Sequence, residues 1–287
     1  MQHEAGNPVR NHLDRMRGAG QKALCQFLIA GDPTPELAGE LAMASVDAGV
    51  DLVEFCIPFL RSITDGPVIQ AGYDRALAGG MTTARALEAM SQLARHVPVV
   101  LLADYRATIA GMGVDPFLSA AADYGAGAVL MHGLPPLLQD SACAEAKARG
   151  LGVVATAYPQ SSDQTVAVSA RRGSAFLYLV SGYGRSGAKG GGRTDADQLA
   201  THVARMRAAG AGPVGVGFGI RDADDHRAVF RAGADLSITG SALTALVAEH
   251  GHDPGRLRRE WTAALNGIAQ AKQDWASPQP DRRNHHV

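Results

Sequence analysis

Glu54 and Asp65 stand eleven residues apart at the two ends of the acidic, active-looking part of "EFCIPFLRSITDGPVIQ", a stretch that reads as strand, loop and helix. Glu54 lies inside an apolar strand, where a charge is costly unless a partner or ligand offsets it. Asp65 precedes Gly66-Pro67, a turn that suits a helix with Pro67 at its first position. Carboxyl groups in unlike surroundings hold unlike pKa values, so one can donate a proton while the other accepts one or steadies positive charge. Two plainer roles stand beside this one: Glu54 as a buried, hydrogen-bonded structural acid, and Asp65 as a helix N-cap.

The elements that must position these acids repeat along the chain. Strands read at "KALCQFLI", "DLVEFCI", "VPVVLLA", "GAVLMH", "LGVVATA", "AFLYLV", "GPVGVGF" and "DLSITG". Helical patterns lie between them: Leu37, Leu41, Ala44 and Ala48 share one face, and further helices are expected near 67–78, 82–95, 114–125, 136–149, 162–171, 194–209, 221–232 and 240–249. Alternation with strands apolar on both faces argues a parallel sheet covered by helices, and eight units suggest a single closed (β/α)8 TIM barrel. A doubly wound open sheet is the alternative. The expected organisation is an N-terminal segment over 1–20 with an extra helix around Val9 to Met16, the barrel over 21–275, and a disordered polar tail over 276–287. A last helix near 254–275 is expected to close the bottom or side. In such a barrel, catalytic groups belong at the C-terminal strand ends and the loops after them.

Glycine-rich turns mark the other side of that face: "SGYGRSGAKGGGR", "GVGFGIRDADD" and "SITGSAL". Glycine lets backbone N–H groups approach an anion, and loops after the last two strands of a barrel often cradle phosphate, so Gly217, Gly219, Gly240 and Ser241 are the candidate donors. The first of these turns, which carries Arg185, Lys189 and Arg193, reads as a lid or as a solvated loop. No metal-ligand constellation is expected. His132, at the end of the fourth strand, reads as a satisfied or solvent-facing side chain.

Composition bounds the function class. Lysine plus arginine (27) nearly balances aspartate plus glutamate (28), which favours no nucleic acid and no membrane surface, so any phosphate site must be local. Cys25, Cys56 and Cys143 form no pair at ligand spacing, and the N-terminus lacks an apolar signal core. A reduced, cytoplasmic protein acting on a small phosphorylated substrate is the expectation.

Taken in order and spacing, "FLIAGDPTPE", "VEFCIPF", "DGPVIQ", "GVGFGI" and "ITGSAL" resemble the tryptophan synthase alpha subunit family over roughly residues 9 to 270. The resemblance implies a (β/α)8 barrel that cleaves indole-3-glycerol phosphate by retro-aldol reaction to indole and glyceraldehyde 3-phosphate, with no metal and no organic cofactor. It implies that Glu54 is the acid/base that protonates indole C3 and that Asp65 stabilises the ring N–H. Tyr178 matches a tyrosine beside the glutamate, and Phe27, Phe218 and Tyr105 match pocket aromatics, although a slip of one residue would put Asp104 where Tyr105 is placed. Gly187, Gly217, Gly219, Gly240 and Ser241 match the phosphate donors.

The departures from the family cluster. "PFLRSITDGP" stands where the family reads "PFSDPLADGP", so Arg61 and Ser62 replace an Asp-Pro pair in a loop that contacts the beta subunit in the family. Gly133 replaces an aspartate, Gly182 an arginine, Arg185 a valine and Ser186 a threonine, whose remaining hydroxyl can bond Asp65. Asp104 and Arg106 bring new charges near the pocket. Three readings follow: a stand-alone or specialised lyase whose beta-contact loop is altered, an enzyme using the same acids on a different and more polar substrate, or a non-catalytic alpha-like binding protein.

Overall fold

The computed structural model describes residues 7–180, 196–217 and 219–276. Eight parallel strands form its centre: β1 Ala23–Ile29, β2 Leu52–Cys56, β3 Val99–Asp104, β4 Ala128–His132, β5 Gly152–Ala157, β6 Phe176–Val180, β7 Val214–Gly217 and β8 Leu236–Thr239. Each pairs with its sequence neighbour, and β8 pairs with β1, which closes the barrel and removes the open-sheet alternative. Their near-continuous apolar runs follow from burial on both faces: one set of side chains fills the barrel and the alternate set meets the helices.

That alternation sets the site. Leu52 packs with the barrel interior while Val53 and Phe55 pack outward, so Glu54 points in. Val100 and Leu102 of β3, and Ala128 and Leu130 of β4, lie on the interior side in the same way. Parity then carries Asp104 and His132 to the inward side, and the two are register partners across β3 and β4.

The barrel bottom is closed by the helix Pro8–Gly18, whose Val9, Leu13 and Met16 are buried among the interior strand residues. Asn7 caps this helix by accepting a hydrogen bond from the Arg10 N–H at 3.0 Å. The helix lies close under the strand starts because Gly127, Gly152 and Gly212 have no side chain there: a Cβ on each would meet Val9, Asn7 and Arg10 respectively. The long helix Pro254–Ala276 takes the side of the barrel instead, against Pro35–Asp47, Ala223–Arg231 and Ser241–His250. Its buried Trp261 donates from Nε1 to the Leu41 carbonyl at 3.1 Å. Among the described residues no helix is long and apolar enough to cross a membrane.

The expected helices are present with small boundary shifts, and the one near 67–78 is Pro67–Ala78. The sequence pattern missed a π-helical turn, Tyr105–Ile109, which Asp104 opens by accepting the Ala107 N–H at 2.9 Å. The polar tail beyond Ala276 lies outside the described residues.

Helix Pro67–Ala78 places the end of the loop that bears Asp65, and two contacts fix it. Arg75 forms a bidentate ion pair with the buried Asp32 after β1, at 2.8 and 2.9 Å. Gly72 lets the helix approach, since a Cβ there would come within 2.5 Å of Ile29 Cδ1 and 2.9 Å of Asp32 Oδ2. Gly72→Ala is therefore expected to lower stability by about 1–2 kcal/mol despite alanine's better helix propensity, as read by urea unfolding.

Candidate active site

The C-terminal mouth of the barrel opens into a cavity of about 430 Å³ whose lining includes Phe27, Glu54, Asp65, Tyr178, Gly219, Gly240 and Ser241. Seven of the residues singled out from the sequence thus meet in one place. Glu54 sits between Phe27 of β1 and Val100 of β3 in strand register and is 4% exposed. Burial first, and then the charge of Asp65, push its carboxyl up from 4.5 to about 8. At neutral pH it is a protonated acid.

Asp65 is not the N-cap of the helix that follows. Gly66 occupies that position with no side-chain cap, which leaves the Asp65 carboxylate free to face the cavity. Its Oδ2 accepts from Ser62 Oγ at 2.7 Å and from Tyr73 Oη at 3.1 Å. Its backbone N–H donates to Ser62 Oγ at 3.2 Å, and its carbonyl accepts from Gln70 Nε2 at 2.6 Å. The hydroxyl on Asp65 thus comes from Ser62, in the departing loop; Ser186, expected to supply it, lies outside the described residues. Arg61 adopts a positive φ of 60° at the bend that precedes Ser62, and Ser62 itself is buried. Tyr73 stacks on Phe59 with ring centroids 4.7 Å apart. Neither Ser62 nor Tyr73 was singled out for Asp65 from the sequence, because only the folded loop brings them to it.

Tyr178 extends from β6 into the same space, with its hydroxyl pushed well up by burial and then by Glu54, so it is a neutral donor. Its ring tip occupies the room that a Cβ on Gly217 would take. Gly217 accordingly stands behind Tyr178 and is not among the cavity-lining residues, a correction to its expected place as a phosphate donor. Gly219, at φ 78°, and Gly240 with Ser241 do line the cavity. Helix Ser241–His250 starts there without a side-chain cap, so its first N–H groups are open to an anion. Phe218, Gly187, Gly182 and Arg185, with the expected lid, lie outside the described residues.

On the β3–β4 side two expectations change. Tyr105 is one residue past the inward parity and packs against the outer cluster between barrel and helices, not into the cavity. Arg106 is exposed in the π-helical turn. His132, read as satisfied or solvent-facing, instead lines the cavity, and its Nδ1 lies 3.1 Å from Asp104 Oδ2. Its Nε2 is 3.5 Å from Thr64 Oγ1, which is 3.4 Å from Ser62 Oγ.

The raised pKa of Glu54 has a stability consequence. The folded chain keeps this proton up to about pH 8, whereas the unfolded chain releases it near 4.5, so stability falls as pH rises through that window. Glu54→Gln removes the penalty. Its stability relative to the parent is expected to improve between pH 5 and pH 9 by up to roughly 3–4 kcal/mol, measured by denaturant unfolding at each pH.

A sequence profile described as tryptophan synthase alpha chain matches residues 13–273. The tryptophan synthase alpha chain of Azoarcus sp. (strain BH72) is 39% identical over 82% of this chain and 86% of its own length. That of Aromatoleum aromaticum is 36% identical over 92% of this chain and 96% of its own. The solved tryptophan synthase subunit alpha of Legionella pneumophila str. Paris superposes with a TM-score of 0.82 at 27% identity, over 93% of this chain and 99% of that one. With its closed barrel and its paired acids at the strand ends, the chain belongs to the tryptophan synthase alpha chain family.

Proposed function

We propose that the chain is a lyase that cleaves indole-3-glycerol phosphate by retro-aldol reaction to indole and glyceraldehyde 3-phosphate, and that its own residues complete the site without a partner subunit. The observation that carries this reading is a protonated Glu54 facing an Asp65 carboxylate in a cavity that ends at an uncapped helix N-terminus.

Glu54 gives its proton to indole C3, which places positive charge on the ring nitrogen. Asp65 accepts the ring N–H and stabilises that charge as it develops. The bond from C3 to the glycerol chain then breaks, and its electron pair returns to the ring. The Glu54 carboxylate takes the proton of the hydroxyl on the departing carbon, which becomes the aldehyde, and the acid is restored for the next turnover. Gly219, Gly240 and Ser241 hold the phosphate at the helix N-terminus. Tyr178 fixes the glutamate's surroundings.

Independence from a partner rests on Asp65. Ser62, Tyr73 and Gln70 of the same chain hold its carboxylate, N–H and carbonyl. The altered loop also turns Leu60 and Ile63 to solvent, a face open to a beta-type subunit that would modulate the site rather than build it.

The test is an assay of the purified chain alone with indole-3-glycerol phosphate, following both products. Indole release is expected, with Glu54→Gln slowing it by about 10²–10⁴-fold. Ser62→Ala is expected to lower kcat by roughly 10-fold with a smaller effect on KM, as loss of one hydrogen bond to a charged group implies. Absence of glutamate-dependent indole release would contradict the reading and favour a different substrate for the same two acids.

A further inference from the structure

The steps above leave one part of the cavity without a task. The walls around the ring site are largely apolar, with Phe27, Phe59, Ile69, Leu102 and Leu130, but the β3–β4 side carries His132 and, across from it, Thr64. His132 is fixed from behind. Asp104 Oδ2 lies 3.1 Å from its Nδ1, and the other oxygen, Oδ1, accepts the Ala107 N–H at 2.9 Å, so the carboxylate cannot turn away. Asp104 therefore makes Nδ1 the protonated nitrogen and leaves Nε2 facing Thr64 and the cavity. The 3.5 Å from Nε2 to Thr64 Oγ1 exceeds an ordinary hydrogen bond, so both atoms retain capacity for a third group.

Three of the chain's departures meet at this point. Asp104 and His132 share the inward parity of β3 and β4. Gly133, at φ 69°, is the next residue, and a Cβ there would lie 3.7 Å from Asp104 Oδ2. The aspartate that the family carries at this place would set a second carboxylate against Asp104, and glycine avoids it. An unsubstituted hydrocarbon edge packed here would strip water from Nε2 and Oγ1 and return no hydrogen bond. Asp65, one residue from Thr64, receives the ring nitrogen in the reading above, while Gly240 and Ser241 hold the phosphate end. The edge left for His132 and Thr64 is that of the six-membered ring.

We propose that His132 and Thr64, with His132 oriented by Asp104, form a subsite for a hydroxyl substituent on the six-membered ring, so that the substrate is a ring-hydroxylated indole-3-glycerol phosphate. The substituent donates to His132 Nε2 and accepts from the Thr64 hydroxyl. This assignment rests on the lyase reading and adds the substrate's class to it. Asp104 is a positioning residue that acts through His132.

Calorimetric titration of the purified chain with indole and with 4-, 5-, 6- and 7-hydroxyindole, in the presence of glycerol 1-phosphate, tests it. At least one hydroxyindole is expected to bind roughly 10-fold more tightly than indole, the effect of one well-placed hydrogen-bonding group. His132→Ala and Thr64→Val are expected to bring that ratio toward one, with circular dichroism confirming that each variant is folded. Asp104→Asn gives an intermediate ratio, a change of preference that a purely structural residue would not produce. The proposal is overturned if indole binds and no hydroxyindole binds more tightly, or if the ratio survives in His132→Ala; the lyase reading then stands alone. Failure of indole and all four hydroxyindoles to bind would remove the ring pocket and both readings with it.

Discussion

The structure turns on one electrostatic arrangement: a carboxyl buried in a barrel interior, facing a second carboxylate at the barrel mouth. A charge on Glu54 would be unsolvated and would repel Asp65, so the group keeps its proton to about pH 8. An acid that is protonated at neutral pH yet becomes a base after giving up its proton is what a retro-aldol cleavage needs at its two proton transfers. The fold supplies the unequal surroundings. Strand parity turns Glu54 inward, and the N-terminal helix closes the opposite end of the barrel with Val9, Leu13 and Met16. The lack of a side chain at Gly217 makes room for Tyr178 beside the glutamate.

Asp65 must be held without burial of the same depth, and here the chain's own departures serve it. Ser62 replaces a proline that has no hydroxyl, and it binds both the carboxylate and the N–H of Asp65. From Ser62 the polar groups continue through Thr64 to His132 and Asp104, at separations of 3.4, 3.5 and 3.1 Å. Substitutions that look unrelated in sequence, on the second loop and the third and fourth strands, are neighbours in space along one wall. They alter what the cavity recognises while leaving the two acids in place.

Much of this was legible in the sequence, for identifiable reasons. Repeated apolar runs separated by helical patterns fixed the barrel, and a glutamate inside such a run marked the site because burial of a charge is costly. The parity of β3 was not legible: "VVLLAD" is apolar on both faces, so nothing in its pattern tells whether Asp104 or Tyr105 faces in, and only the register with β4 settles it. His132 looked solitary because its partner is 28 residues away on the neighbouring strand. Gly217 looked like a phosphate donor because a glycine after a strand fits that task, and its use as space for Tyr178 depends on a side chain from β6. Ser62 was noted as a replacement, but its bonds to Asp65 appear only once the loop bends at Arg61.

The most direct measurement is the titration of the Glu54 carboxyl itself, by carbon-13 NMR of labelled glutamate assigned with Glu54→Gln. A midpoint near 8 that falls in Asp65→Asn is the predicted result, since that variant removes the second of the two causes and leaves burial. A midpoint near 4.5 in the unaltered chain would contradict the account, because Glu54 would then hold no proton to give at neutral pH.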